Sequence, residues 1–204
     1  MSRRIIGIVD YGVGNIASIV NALSGLNYSC RVVNDPDSIR DVDLILLPGV
    51  GSFPRAMSGL RAIGFDEALK YAVKSGRPIL GICLGMQLLA DRSYEVELTS
   101  GLGLITGDVI AFPESRCHIG WNQISTRIDE PGLVGFDGLA MYFNHSFFFK
   151  TEESNEISTT RFMGISFPAI VRRENVIGVQ FHPEKSQTYG SRILYSIIDG
   201  LSSG

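Results

Sequence analysis

Pro78-Ile79-Leu80-Gly81-Ile82-Cys83-Leu84-Gly85-Met86-Gln87 is the stretch on which the reading of this chain turns. An apolar strand over Pro78–Ile82 runs into a cysteine, and the sequence predicts a helix over Leu84–Ala90 with no loop between them. Glycines stand two residues to either side of the cysteine. This is the sulfur counterpart of G-x-S-x-G, where a sharp strand-to-helix turn exposes a nucleophile at the carboxyl end of a sheet. Gly81 and Gly85 remove side chains that would collide across such a turn. Backbone N–H groups at the helix start favour a thiolate, and the Leu84 N–H is placed to bind an oxyanion. The competing reading is a structural cysteine buried at a strand end, since free cysteine is among the most buried residue types.

A cysteine nucleophile needs a base, and the base needs an orienting group. The chain holds three histidines, His118, His145 and His182. His182 follows the apolar strand Val176–Phe181 and precedes Pro183-Glu184, which puts it at the carboxyl end of a core strand. Glu184, two residues on, is able to accept from the second ring nitrogen and fix the tautomer. Alone, each is an ordinary surface residue; beside the elbow they form a Cys-His-Glu set. His118 reads as structural. A second glycine turn, Pro48-Gly49-Val50-Gly51, closes the strand Leu44–Leu47. Acyl transfer calls for two preorganised N–H donors, and Val50 N–H with Leu84 N–H is the expected pair. A phosphate loop is the rival reading, and it ranks well below because GVGSF lacks the G-K-[ST] ending. Asp10-Tyr11-Gly12-Val13-Gly14-Asn15 offers G-x-G after a strand, but the third glycine of a dinucleotide fingerprint is absent.

Around these turns the first half alternates strand and helix signals. Ile5–Val9, Cys30–Val33 and Leu44–Leu47 read as buried strands; Ile16–Leu26, with Asn15 as N-cap, and Phe65–Lys74, closed by Gly76, read as helices. Solid apolar strands alternating with helices predict a mostly parallel sheet with helices on both faces. The second half breaks into short strand-like pieces (104–112, 119–127, 140–145, 157–162 and 169–173), then the strand 176–181 and a helix over Ser191–Ile198. The expectation is one α/β domain over 1–204, flavodoxin-like, with an antiparallel elaboration.

Composition narrows the classes. The 204 residues are 45% hydrophobic and 19% charged, as expected of a globular chain. A net charge of −3 argues against nucleic-acid binding by bulk charge. No apolar run is long enough to span a membrane. The five apolar-leaning residues Ile5–Val9 are too few for a signal-peptide core, so a cytoplasmic chain is expected. Three cysteines, which cannot all pair and form no CxxC, argue against a disulfide framework or a structural zinc site.

Three blocks, LLPGVGSF (46–53), GICLGMQLLA (81–90) and GVQFHPEKS (178–186), resemble those of the class I, triad-type glutamine amidotransferases, and the resemblance covers essentially the whole chain. Within that family, DYGVGN (10–15), GLGLITGDV (101–109), HIGWNQI (118–124) and YFNHSFFF (142–149) are most similar to the glutaminase subunits of imidazole glycerol phosphate synthases. The resemblance implies that Cys83 attacks the glutamine amide, that His182 handles the protons and that Glu184 orients it. It places Gly49, Val50 and Leu84 around the oxyanion, and Gly51, Gln87, Glu95, His145, Ser146 and Phe147 around the glutamine. It implies a heterodimer with a (βα)₈-barrel cyclase that takes the ammonia to make imidazole glycerol phosphate and AICAR in histidine biosynthesis. Asn15, Trp121, Tyr142 and Lys185 then fall at the partner face. Trp121 reads equally as an interface anchor or a core aromatic. No metal, flavin or nucleotide cofactor is implied.

The chain departs from the family pattern at Cys117, where proline is common, at Asn144, at Phe147-Phe148, where tyrosines are usual, and over Ser93–Ser100. These departures leave open a paralogous role, supplying ammonia to a synthase that aminates nucleotide-linked sugars for surface polysaccharides. Two other classes are weaker. A dead scaffold would tolerate loss of Cys83, His182 and Glu184. A cysteine protease gives no reason for Gln87 or for the turn at 49–51.

Overall fold

The computed structural model describes residues 3–26, 28–127 and 131–201. Its first half runs β1 (Ile5–Val9), α1 (Ile16–Ser24), β2 (Ser29–Val33), β3 (Leu44–Leu47), α2 (Phe53–Ile63), α3 (Phe65–Lys74), β4 (Ile79–Ile82) and α4 (Leu84–Gln87). The rest is β5 (Arg92–Ser93), β6 (Thr99–Ser100), β7 (Gly107–Ala111), β8 (His118–Gln123), β9 (Ser125–Thr126), β10 (Ala140–His145), β11 (Phe147–Thr151), β12 (Glu156–Phe162), β13 (Ile165–Arg173), β14 (Val176–Val179) and α5 (Gln187–Leu201).

An eight-stranded sheet has the order β2-β1-β3-β4-β14-β13-β12-β9. The run from β2 to β14 is parallel, and β13, β12 and β9 extend it antiparallel. This is the mostly parallel α/β sheet expected, with its antiparallel addition. Because side chains alternate along a strand, β3 sends Ile45 and Leu47 to one face, with α2, α3 and α4, and Leu44 and Leu46 to the other, with α1 and α5. Sheets β11-β7-β5-β6 and β10-β8 flank the carboxyl ends of the central strands.

Boundaries follow local chemistry. Asn15 Oδ1 accepts from Ser18 N at 3.3 Å and starts α1. Gly64, at φ +89°, ends α2 and opens α3 at a sharp corner. The helix expected over 84–90 stops at Gln87. Beyond it the N–H groups of Leu89 and Ala90 donate three residues back, to the carbonyls of Met86 and Gln87 at 3.1 and 3.0 Å, so the helix tightens and ends; the carbonyls of Leu88, Ala90 and Leu89 are then met by N–H groups of Leu102, Gly103 and Leu104 at 2.9 Å. The strand expected over 119–127 breaks at Ile124, whose N–H turns to Leu139 O. Helix α2, unassigned from sequence, buries Phe53, Ala56, Met57 and Leu60, and α5 begins four residues earlier than expected.

Candidate active site

Cys83 sits at the carboxyl end of β4 with φ +54° and ψ −111°, a conformation uncommon outside glycine. It survives because the surroundings leave no alternative. A Cβ on Gly85 would lie 1.9 Å from Leu47 O, one on Gly81 2.6 Å from Gly85 O, and one on Gly49 2.7 Å from Gly85 N. The elbow and the Pro48–Gly51 turn therefore pack backbone against backbone. The Tyr11 hydroxyl, buried, donates to Pro48 O at 2.7 Å and pins that turn. A side chain on Gly14 would press on Pro48 at 3.2 Å. The DYGVGN segment thus braces the second glycine turn. Sequence reading did not foresee this role, because nothing local links residue 11 to residue 48.

Cys83 opens on a cavity of about 270 Å³. Val50, Gly51, Leu84, Gln87 and Glu95 line it from the first half of the chain, and His145, Ser146, Phe147, His182 and Lys185 from the second. Cys117 and Asn144, noted from sequence only as departures, line it too. Gly49 is buried beneath the turn, and Glu184 lies behind His182.

His182 and Glu184 are each about 3% exposed, and His182 Nδ1 is 2.8 Å from Glu184 Oε1. Burial alone would push the imidazole pKa down. Hydrogen bonds and charge from Cys83 and Glu184 overcome it and raise the pKa to about 10. His182 is therefore an imidazolium at neutral pH, with a carboxylate on one nitrogen and sulfur on the other. The hydroxyl of Tyr11 is held well above its usual value by burial and by the nearby Cys83 sulfur, so it stays protonated and donating.

Behind the cavity wall at Phe147 runs a chain of neutral donors. Phe147 O can only accept, so His145 Nδ1, 2.8 Å away, carries a proton. His145 Nε2 then accepts from His118 Nδ1 at 3.0 Å, and His118 Nε2 from Asn122 Nδ2 at 3.2 Å. Burial lowers the pKa of His118 to about 4 and that of His145 to about 3, so both rings are neutral. His118 is structural, stacked on Phe143 and Phe162. Both nitrogens of His145 are engaged, so it shapes the wall by holding Phe147. Glu95 Oε2 accepts from Phe53 N, the first residue of α2, at 2.8 Å. That anchors a carboxylate on the cavity rim.

Outside the cavity, Trp121 on β8 pairs with Tyr142 on β10, ring centroids 6.0 Å apart. Lys185 Nζ lies 5.7 Å above the Tyr142 ring. Trp121 is 49% exposed, which removes the core reading of it. Tyr142 O accepts from His182 N at 2.8 Å, so this patch and the turn that carries His182 share a backbone bond. Helix α1, which Asn15 opens, packs against the turn at Pro183–Lys185. Among the described residues no His/Cys/Asp/Glu group could hold a metal, and no helix is long and apolar enough to cross a membrane.

The family model for class-I glutamine amidotransferase matches residues 7–198. The chain belongs to that family. It is an amidotransferase enzyme, and the fold agrees. A solved glutamine amidotransferase superposes with TM-score 0.78 over 98% of this chain and 99% of its own, at 19% identity. The PurLQS structure from Thermotoga maritima also gives 0.78, over 97% and 99%, at 20% identity. Similar amidotransferase sequences include the protein named imidazole glycerol phosphate synthase subunit HisH of Geobacillus sp. (strain WCH70). It is 42% identical, covering 97% of this chain and 99% of its own. The protein of that name from Caldanaerobacter subterraneus subsp. tengcongensis is 40% identical over 93% and 95%, and that from Wolinella succinogenes 39% over 93% and 96%.

Proposed function

We propose that this amidotransferase is the glutaminase subunit of an imidazole glycerol phosphate synthase, working as one domain in histidine biosynthesis. The observation that carries the chemistry is the buried line Cys83–His182–Glu184 opening on one cavity. Relatives about 40% identical over nearly their full length, all bearing the subunit name, support the pathway.

Cys83 sulfur attacks the side-chain amide carbon of glutamine. The oxyanion that forms is met by N–H groups of Leu84 and of the Gly49-Val50 turn, a pairing supported by the backbone contact between Gly49 and Gly85. When the C–N bond breaks, His182 gives its proton to the amine, and ammonia leaves a glutamyl thioester. Water then adds, losing a proton to His182, and the C–S bond breaks to release glutamate. Glu184 keeps the ring oriented and its charge matched. Glu95, fixed at the rim, suits an α-ammonium group; Gly51, Gln87, Ser146 and Phe147 complete the glutamine pocket beside the wall that His145 holds.

Ammonia passes to a (βα)₈-barrel cyclase in a heterodimer. The half-exposed Trp121 with Tyr142 and Lys185 fits the docking face, with Asn15 at its margin, and the bond between Tyr142 and His182 links docking to the site. The test is the complex with Cys83→Ala. Glutamine-dependent product should vanish while ammonia-dependent product persists; equal survival of both would remove the thioester reading. Pull-down with the tagged chain should return a cyclase barrel, and a sugar-aminating synthase in its place would reassign the pathway.

A further inference from the structure

Gln180 has no role in the chemistry above. It lies between β14 and His182, wholly buried, and it is absent from the cavity lining. A buried primary amide is costly unless its donors and acceptor are paired. Gln180 Oε1 accepts from Gln87 Nε2 at 3.0 Å, and Gln180 Nε2 lies 3.9 Å from Cys83 Sγ.

The network decides which end of the amide faces the sulfur. The carbonyl of Phe147 can only accept, and Gln87 Nε2 is 2.8 Å from it, so that end of Gln87 is the NH₂ group. The same nitrogen is 3.0 Å from Gln180, so the atom facing it there is oxygen. The NH₂ group of Gln180 therefore points at the nucleophile. His145 Nδ1, donating to the same carbonyl, holds it in place. A peptide carbonyl in the cavity wall thus sets, through two amides, a hydrogen-bond donor behind the sulfur.

We propose that Gln180 is a catalytic residue, a hydrogen-bond donor to the Cys83 sulfur. It stabilises the anion before attack and again when the thioester breaks, as the C–S electron pair returns to sulfur. No proton leaves the amide; the mobile proton stays between Cys83 and His182. The inference rests on Cys83 being the nucleophile of the proposed function.

The test is alkylation of Cys83 by iodoacetamide from pH 5 to 9, read by mass on the Cys83 peptide of the full chain. Wild type is compared with Gln180→Met and Gln180→Glu. The titratable groups coupled to the sulfur, His182 and Tyr11, are unaltered. Removing a donor to an anion should slow alkylation near pH 6 roughly tenfold and move the profile to higher pH. Gln180→Glu should be slower still, because it sets a second acceptor against the sulfur. A packing role alone predicts the reverse order, since Glu matches Gln in shape and Met does not. If Gln180→Glu fails to fold by circular dichroism, Gln180→Met decides by itself. Wild-type profiles in the folded variants, or Met slower than Glu, would overturn the inference. Protection of wild-type Cys83 by saturating glutamine tests the glutaminase reading separately. Alkylation indifferent to glutamine would sink that reading and leave the donor to be judged on the variants.

Discussion

At Cys83 two side chains and one conformation do different work. The positive φ is strain held by the packing of Gly49, Gly81 and Gly85, and it aims the sulfur at the cavity. In the proposed mechanism His182, its pKa raised to about 10, gives its proton to departing ammonia across the neutral range. Glutaminase kcat/KM of the complex should therefore stay high through neutrality and fall as pH approaches 10, where the imidazolium is lost. An alkaline limb near pH 7 would show that Cys83 and Glu184 do not hold the proton. Glu184→Gln removes the charge and leaves a neutral partner on Nδ1. It should cut kcat by roughly a hundredfold or more with little change in KM, by analogy with the orienting acid of other triads. Steady-state kinetics reads both. That Cys83, His182 and Glu184 come together was legible because each stands in a short motif at the carboxyl end of a core strand. Gln180 and Tyr11 were not, because their partners, Cys83 and Pro48, are distant in sequence and only the fold brings them together.

The elements show the same division. β1, β3, α3 and β10 match the sequence reading because their limits are set locally, by apolar runs, caps and glycine turns. α4 is shorter than the apolar run suggests because its last turn tightens to i→i−3 bonds at Leu89 and Ala90, whose own carbonyls, with that of Leu88, are met by the distant segment 102–105. α2 went unassigned although its buried residues recur at i, i+3, i+4 and i+7; Pro54 and Gly59 mask the pattern, and Pro54 is tolerated because it lies in the first turn. The glycine contacts at the elbow are an element-scale property, since they let β3, β4 and α4 converge. Gly85→Ala puts a carbon 1.9 Å from Leu47 O, where backbone must move. The expected loss is about 3 kcal/mol, near the upper range for overpacking, with activity lost alongside. Urea unfolding measures it. A loss under ~0.5 kcal/mol, an ordinary surface effect, would mean the elbow has room that its contacts deny.

At the scale of the whole molecule, the histidines that build the site make stability depend on pH. His118 and His145 are neutral and buried, with pKa values near 4 and 3, whereas in an unfolded chain each titrates near 6.5. Below that pH the unfolded chain binds two protons that the folded chain refuses, so their contribution is present above pH 6.5 and is lost as pH falls toward 3. His182 has the opposite sign. Its pKa is raised, so its contribution is complete below 6.5 and fades as pH climbs through 10. The histidine terms therefore favour the folded state most near pH 6.5. Urea midpoints should drop between pH 7 and pH 5, and His118→Gln, which keeps a donor near His145 Nε2 without a titrating ring, should flatten that drop. An identical slope in variant and wild type would place the proton uptake elsewhere. The wall these histidines hold carries Phe147 O, from which the donor to Cys83 is ultimately oriented. Acid should thus weaken the nucleophile's setting before global unfolding: Cys83 alkylation should lose its glutamine protection at a higher pH than that at which circular dichroism reports loss of fold.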